Sequence, residues 1–132
     1  MKSLQASITR ALTTGSYLKC NDNSKAKELK IIGLVGFKGT RGRYPKAGVG
    51  DMVICSVTKG DISVKGTVVK AVIIRQRKEY RRANGMRIAF EDNAAVLVND
   101  DGLPIGTEIK GVIAKEVVER FPKLAAIAPG VI

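Results

Sequence analysis

Residues 71–98 read AVIIRQRKEYRRANGMRIAFEDNAAVLV, and this stretch decides how the fold is read. It begins as an apolar strand, becomes strongly cationic, and returns to apolar residues of the kind that favour strands. Successive side chains of a strand point to opposite faces, and here both faces are apolar up to Ile74 and polar or charged after it. We therefore predict that a buried strand leaves the core after Ile74 and continues as a solvent-exposed ribbon. Asn84-Gly85 would close the ribbon, because this dipeptide favours a two-residue type I′ turn with positive φ at both positions.

The ribbon, residues 75–90, is rich in positive charge. Its cations, with Glu79 as the only acid among them, are Arg75, Arg77, Lys78, Arg81, Arg82 and Arg87. A two-stranded ribbon is marginally stable in water, and clustered like charges weaken it further unless a polyanion supplies the counter-charge. The planar fork of arginine suits phosphate, whereas Tyr80 is the only aromatic residue among these cations. The pattern predicts contacts to the backbone and shape of folded RNA more than the reading of unstacked bases.

The charge of the whole chain is distributed unevenly. Its 132 residues carry a net charge of +11, with 19 Lys and Arg against 5 Asp and Glu in residues 1–87, and 4 against 7 in residues 88–132. Charge that served solubility alone would mix the two signs along the chain. The segregation therefore indicates a polyanionic partner, most often nucleic acid, for the first two-thirds of the chain.

A second basic segment, the loop 36–50, precedes the ribbon. Together with residues 33–35 it reads GLVGFKGTRGRYPKAGVG, which has six glycines and no acid. The order excludes a P-loop, which ends in Gly-Lys-Ser/Thr, and the dinucleotide-binding pattern is absent. Glycine lets the backbone approach phosphates closely, so we predict a flexible loop that contacts RNA, with an ordinary surface loop as the alternative. Its candidate RNA ligands are Lys38, Arg41, Arg43 and Lys46.

Strand candidates follow one another closely along the chain. Seven are predicted, at residues 16–20, 29–37, 52–58, 67–77, 86–90, 94–98 and about 108–114. Many short Val- and Ile-rich strands with turns between them favour a small barrel or sandwich over an α/β sheet, and Asp101-Gly102 is a second hairpin signal. Helical spacing is confined to 115–121 and 124–128. We predict one domain, residues 1–132, with a β part over 1–114 and a helical C-terminal region over 115–132.

The composition argues against catalysis and against a metal site. The chain has no histidine, which is the commonest acid–base residue and metal ligand in proteins. Cys20 and Cys55 fit no metal-ligand spacing and are expected to be buried, reduced thiols of a cytosolic protein. The adjacent acids Glu91-Asp92 and Asp100-Asp101 would point to opposite faces of a strand and are poor metal ligands. We predict no enzyme activity, no cofactor, no small-molecule substrate and, since no apolar run could span a bilayer, no membrane partner.

The C-terminal region, residues 103–132, differs from the rest in chemistry. It is nearly neutral, with 4 Lys and Arg against 3 Asp and Glu, which suits phosphate poorly. We therefore expect a surface that faces other proteins. Its candidate residues are Thr107, Glu108, Glu116, Glu119 and Lys123.

Several separated motifs, in order, carry a family resemblance. Within 71–98 these are Ala71-Val72-Ile73-Ile74, then Asn84-Gly85, then Phe90, Asn93, Val96 and Leu97. Residues 20–26 (CNDNSKA), 45–51 (PKAGVGD) and 104–107 (PIGT) continue the pattern on both sides. Over nearly the entire chain from residue 16, the sequence resembles the universal large-subunit ribosomal protein L-fourteen family. The runs 72–78 (VIIRQRK) and 90–95 (FEDNAA) resemble its archaeal and eukaryotic branch.

The resemblance implies a fold and a set of partners. It implies a mainly β protein, with a small five-stranded β-barrel, a protruding β-ribbon and short C-terminal helices. It implies a cytoplasmic ribosomal protein that binds large-subunit rRNA and sits at the subunit interface, where it contributes bridges to small-subunit rRNA. The implied protein neighbours are ribosomal protein L-three and a zinc-finger ribosomal protein of the L-twenty-four-e type. The exposed face is then also where the anti-association initiation factor docks.

One alternative from another class remains open on the residues alone. A free-standing RNA-binding barrel, such as an RNA chaperone or translation factor, would also be basic and rich in strands. Such barrels place several aromatic residues on one strand face as a platform for bases. The three Tyr and three Phe of this chain are scattered, which argues against that class. An RNA-processing enzyme is a more distant third possibility.

Overall fold

The structure is a computed structural model that describes residues 7–36, 39 and 41–132. A closed five-stranded barrel forms its centre, with the strand order β2-β3-β5-β6-β9. The barrel strands are β2 (Tyr17–Cys20), β3 (Ala26–Leu34), β5 (Met52–Gly60), β6 (Val68–Arg75) and β9 (Ala94–Val98). Neighbours pair antiparallel except β2 and β9, which close the barrel in parallel. The predicted mainly β barrel is therefore confirmed.

Alternating side chains fill the interior of the barrel. In β2, Leu18 and Cys20 are buried while Tyr17 and Lys19 face solvent, as the period of two requires. The inward-facing residues of all five strands form one apolar cluster that contains both cysteines. Burial raises the pKa of both thiols to about 12, so they remain protonated at physiological pH.

A buried carboxylate helps to close the barrel. Asp22, just after β2, accepts hydrogen bonds from the backbone N–H of Leu97 in β9 (3.0 Å) and of Ser24 (3.1 Å), and from the Cys20 thiol (3.2 Å). It is 4% exposed. A buried carboxylate of this kind is stable only when its oxygens have donors, so Asp22 ties the turn after β2 to β9.

A second apolar cluster covers the outside of β6 and β9. Val72 and Ile74 of β6 and Val96 and Val98 of β9 point away from the barrel interior and pack against the C-terminal region. That region contains helix α1 (Lys115–Arg120) and a 3-10 turn (Pro122–Leu124). Because these two strands are buried on both faces, they read as continuous apolar runs instead of alternating ones.

The predicted strand at 108–114 is wrong. Only isolated bridges occur there, from Ile109 to Asp22 and from Ile113 to Val131. A closed barrel leaves no free edge to which another strand can pair. The segment instead lies across the outer surface and buries Ile109 and Ile113 in the second cluster.

The two hairpin signals form turns, but of a different type from the one predicted. At Asn84-Gly85, Gly85 N–H donates to Arg82 O (2.9 Å), Arg82 N–H donates to Met86 O (2.8 Å), and only the glycine has positive φ. This is a three-residue loop with a left-handed glycine at its last position. Asp101-Gly102 has the same geometry, with Gly102 N–H donating to Asn99 O (3.0 Å).

Four two-residue strands lie outside the barrel. They form two small sheets, β1 (Leu12–Thr13) with β4 (Lys46–Ala47), and β7 (Tyr80–Arg81) with β8 (Arg87–Ile88). The second sheet lies within the ribbon. Its return strand, β8, has two residues and is therefore shorter than the predicted strand at 86–90. In the described ranges, no helix is both long and apolar enough to cross a bilayer.

Candidate RNA interface

The base of the ribbon is buried. Arg75 and Gln76 are 7% and 0% exposed, and Tyr80 is 0% exposed. The prediction that the chain leaves the core after Ile74 is therefore wrong by two residues, and Tyr80 returns to the core further along the ribbon. A register shift between Ile73 and Arg75 in the β6–β9 pairing is one cause, because a bulge redirects the side chains that follow it.

Arg75 forms an internal ion pair with Asp92. Its Nε and Nη2 donate to the two carboxylate oxygens of Asp92 (2.9 and 3.2 Å), and its Nη1 donates to Val112 O (2.8 Å). The two-pronged pairing joins β6 to Asp92, just before β9, and the bond to Val112 O joins it to the crossing segment that was predicted to be a strand. Arg75 is therefore withdrawn from the RNA-facing set, because its guanidinium is buried and already engaged.

Arg82 and Glu116 also have internal roles. The Glu116 carboxylate, 2% exposed, accepts hydrogen bonds from Tyr80 Oη (2.7 Å) and from Arg82 Nε (2.7 Å). Burial and the bond to Glu116 raise the pKa of Tyr80, and the same carboxylate raises the pKa of Arg82. Glu116 therefore cannot belong to an exposed protein-facing surface. It fastens the ribbon to helix α1.

Gln76 joins the basic segments to one another. Its Nε2 donates to Thr9 O (2.9 Å) and Lys78 O (2.8 Å), and its Oε1 accepts from Val49 N–H (2.9 Å). One buried amide therefore contacts the N-terminal segment, the end of the basic loop and the ribbon. This role of Gln76 was not predicted from the sequence. The only signal was an uncharged side chain between Arg75 and Arg77.

Residues 7–13 connect the ribbon to the basic loop. Ser7 forms a bridge with Arg81 of the ribbon, and Leu12 pairs with Ala47 of β4. Arg10, which is exposed, lies between these two contacts and was also missed from sequence. The ribbon, residues 7–13 and the loop therefore form one continuous basic surface, which we call the basic face.

The exposed cations of the basic face remain candidates for RNA. They are Arg10, Arg41, Arg43, Lys46, Arg77, Lys78, Arg81 and Arg87. Arg87 Nη1 lies 3.8 Å from Glu79 Oε1, but both side chains are more than half exposed, so this pair is weak. Lys38 lies outside the described residues.

The basic loop is less uniform than predicted. Residues 41–44 and 46 are exposed, and Arg41 has a positive φ of 55°. Residues 47–50 are buried, and Lys46 and Ala47 form β4. The flexible-loop prediction therefore fails over the last part of the segment, where Val49 packs into the second cluster.

The remaining protein-facing candidates lie at or near the surface. Thr107, Glu108 and Lys123 are exposed and Glu119 is half-buried. Asn23 holds the segment around Thr107, since its Nδ2 donates to Thr107 Oγ1 (2.6 Å) and its Oδ1 accepts from Thr107 N–H (2.8 Å). This contact anchors the PIGT turn to the CNDNSKA segment, 84 residues earlier in the chain.

Comparison with known proteins identifies the family. The family model described as "Ribosomal protein L14p/L23e" matches residues 11–132. The chain belongs to this family. It is 52% identical to a "Large ribosomal subunit protein uL14" of Halorubrum lacusprofundi and 50% identical to that of Natronomonas pharaonis, each over 128 residues and 97% of both chains. The corresponding protein of Methanocorpusculum labreanum is 48% identical over the same length. The family recognised in the sequence, with its archaeal branch, is confirmed.

Proposed function

We propose that the basic face of this large-subunit ribosomal protein binds rRNA through phosphate contacts. Membership of the family makes the protein a structural constituent of the large subunit of the cytoplasmic ribosome, with a structural rather than a catalytic role. The observation that carries the proposal is the Gln76 network. It holds three segments that carry cations in one surface. Among the exposed cations of this face that the structure describes, only Arg10 and Arg87 lie within 4 Å of an acid, at 3.7 Å from Asp51 and 3.8 Å from Glu79.

The proposed RNA ligands are the exposed cations of that face. Arg41, Arg43, Lys46, Arg77, Lys78, Arg81 and Arg87 are retained from the sequence, with Lys38 proposed on sequence alone and Arg10 added. Each phosphate contact releases counterions, so affinity is expected to fall with salt at a log–log slope of roughly −0.7 to −0.9 per contact.

A charge-reversal pair tests this proposal. Arg81→Glu should weaken binding of the full-length protein to large-subunit rRNA by roughly tenfold or more and reduce the salt slope by about one. Lys65→Glu makes the same change in charge at an exposed lysine of the turn between β5 and β6, and should have a much smaller effect. Equal losses from both variants would show that only net charge matters.

We further propose that the protein lies at the subunit interface. There it would contribute bridges to small-subunit rRNA beside ribosomal protein L-three and an L-twenty-four-e type ribosomal protein. The family resemblance motivates this placement, and the contrast in charge between the cation-rich basic face and the nearly neutral C-terminal region, residues 103–132, supports it. The proposed docking face for the anti-association initiation factor comprises Thr107, Glu108, Glu119 and Lys123.

The docking face has its own test. Large subunits that carry Glu108→Lys with Glu119→Lys should bind the anti-association factor less well in co-sedimentation. Subunits with Glu91→Lys, an exposed acid outside that face, should bind it normally. Unchanged binding to the double variant would refute the docking face.

The number of copies of the protein per ribosome distinguishes a ribosomal constituent from the alternative, a free-standing RNA-binding barrel. Sedimentation of a lysate, a high-salt wash and quantitative mass spectrometry should find one copy per large subunit. Release of the protein into the light fractions would favour a free RNA-binding factor.

A further inference from the structure

The wall of the barrel formed by β2, β3, β5 and the start of β6 carries an outward row of side chains. Tyr17 of β2 lies opposite Lys30 of β3, Lys30 lies opposite Ser56 of β5, and Ser56 lies opposite Val68 of β6. Their neighbours along the strands, such as Leu18, point inward and are buried. We call this surface, together with the adjacent row of Lys19, Glu28 and Lys59, the outer wall.

The outer wall exposes apolar side chains. Tyr17 is 55% exposed and Val68 is 65% exposed, and Ile32, two residues beyond Lys30 on β3, is 45% exposed. The second cluster covers the outside of β6 and β9 instead, through Val72 and other residues further along β6. A closed barrel needs no exposed aromatic residue for its own stability, because its core faces inward. Tyr17 is therefore available to a partner.

Cations surround the exposed ring. Lys30 Nζ lies 5.9 Å from the centroid of the Tyr17 ring, and Lys19 projects from the same face of β2. Glu28 is the one acid in the two rows, and its Oε2 lies 3.7 Å from Lys59 Nζ. An aromatic ring flanked by lysines is the combination that holds single-stranded nucleic acid, with a base on the ring and phosphates on the cations.

The position of Lys30 favours RNA over a protein partner. It stands in the middle of the row, between Tyr17 and Ser56, so a protein covering the row would have to bury its ammonium group. Burying an ammonium without a matched acid is costly, whereas a phosphate neutralises it. We propose that the outer wall is a second RNA-binding surface, on which Tyr17 stacks on an unpaired base while Lys19 and Lys30 contact the flanking phosphates.

This inference rests on the proposed rRNA function and extends it to a surface outside the basic face. The partner is an unpaired segment of large-subunit rRNA, because bases inside a helix are already stacked on each other. The two surfaces then use different chemistry. The basic face binds phosphates without regard to bases, and the outer wall requires an accessible base.

Substitution of Tyr17 tests the stacking. Tyr17→Ala in the full-length protein should weaken binding to isolated large-subunit rRNA roughly tenfold at fixed salt, whereas Tyr17→Phe, which keeps the ring, should bind within about twofold of the wild type. Lys30→Gln should reduce the salt slope by about one. Ile62→Ala, which truncates a side chain that is 91% exposed in the turn after β5, is the control and should change nothing.

A second measurement identifies the class of partner. Ultraviolet cross-linking of assembled large subunits, followed by mass spectrometry, should find a nucleotide adduct on the peptide that contains Tyr17. Cross-links from Lys19 or Lys30 to another protein, with no nucleotide adduct, would overturn the proposal. So would full affinity of Tyr17→Ala. If Arg81→Glu loses affinity and Tyr17→Ala does not, only the outer wall fails. If neither loses affinity, the proposed function fails as well.

Discussion

At the scale of single residues, Arg75 and Gly111 depend on each other. Gly111 has φ +80°, and a Cβ built on it would lie 2.5 Å from Arg75 Nη1. The arginine cannot move aside easily, because both ends of its guanidinium are bonded, to Asp92 and to Val112 O. The glycine therefore serves two needs, a left-handed backbone and space for a buried ion pair.

Substitution of Gly111 should separate these two needs. Gly111→Ala is expected to lower the free energy of unfolding by about 2–4 kcal/mol, from strain at positive φ plus disruption of the ion pair. Gly36→Ala is a matched control, since Gly36 has the same φ of +80° with nothing within 4 Å of its Cβ position. It should lose only about 1 kcal/mol in urea unfolding. Equal losses would mean that the contact with Arg75 contributes nothing.

Three buried groups, the thiols of Cys20 and Cys55 and the hydroxyl of Tyr80, should make the stability of the protein fall at alkaline pH. Burial raises the pKa of Cys20 and Cys55 from 9.0 to about 12, and burial with the bond to Glu116 raises that of Tyr80 above its usual 10.0. The folded state therefore keeps protons that the unfolded state releases. The stability these groups contribute is complete below pH 9 and is lost as pH rises towards 12.

Unfolding in urea between pH 7 and 11 checks this prediction. The free energy of unfolding should fall above pH 9, and Cys55→Ala and Tyr80→Phe should each make that fall shallower. Tyr44→Phe should leave the profile unchanged, because Tyr44 is 79% exposed. A stability that does not change between pH 9 and 11 would contradict the prediction.

At the scale of elements, the ribbon and the basic loop are positioned by one amide. No main-chain pairing joins β7 and β8 directly to β4, since each pair forms its own sheet. Gln76 and residues 7–13 supply the connection instead. A buried polar network with every member bonded specifies one arrangement, so the relative position of these elements should depend strongly on that side chain.

Gln76→Leu tests this dependence without changing any charge. The variant keeps a similar side-chain volume but leaves Val49 N–H and Thr9 O without partners, and it should lose about 1–3 kcal/mol of stability. Amide exchange at Val49 should accelerate, and affinity for rRNA should fall although every cation is intact. Unaltered affinity in a folded variant would show that the basic segments bind RNA independently of one another.

At the scale of the whole molecule, two apolar clusters share the same strands. Val53 and Ile73 face the barrel interior, whereas Met52 and Val72, their neighbours in sequence, face the second cluster. Neither cluster can lose its packing without exposing the other face of β5 and β6. We therefore propose one cooperative domain, which the sequence also predicts, and not a barrel with an independent C-terminal module.

A pair of Leu→Ala variants tests cooperativity. Leu29 lies in the barrel cluster and Leu124 in the second cluster, and both are 0% exposed. Each truncation should cost about 2–5 kcal/mol and shift the unfolding of both clusters together. Residue-resolved amide exchange would measure protection at Ile31 for the barrel cluster and at Ile113 for the second cluster. Loss of protection at Ile113 alone in the Leu124→Ala variant would contradict a single unit.

The sequence by itself determined the β class, the sign and location of the charge, and the family. Apolar alternation, charge segregation and motif order are local properties that can be read along the chain, and β9 was predicted to the residue. The tertiary structure decided which cations are free. Arg75 and Arg82 lie in the same cationic stretch of sequence as the exposed Arg77 and Arg81. Their partners, Asp92 and Glu116, lie 17 and 34 residues further along the chain. Strand alternation cannot foresee a bulge or an acid brought in by another element, so the internal ion pairs of these two arginines followed only from packing.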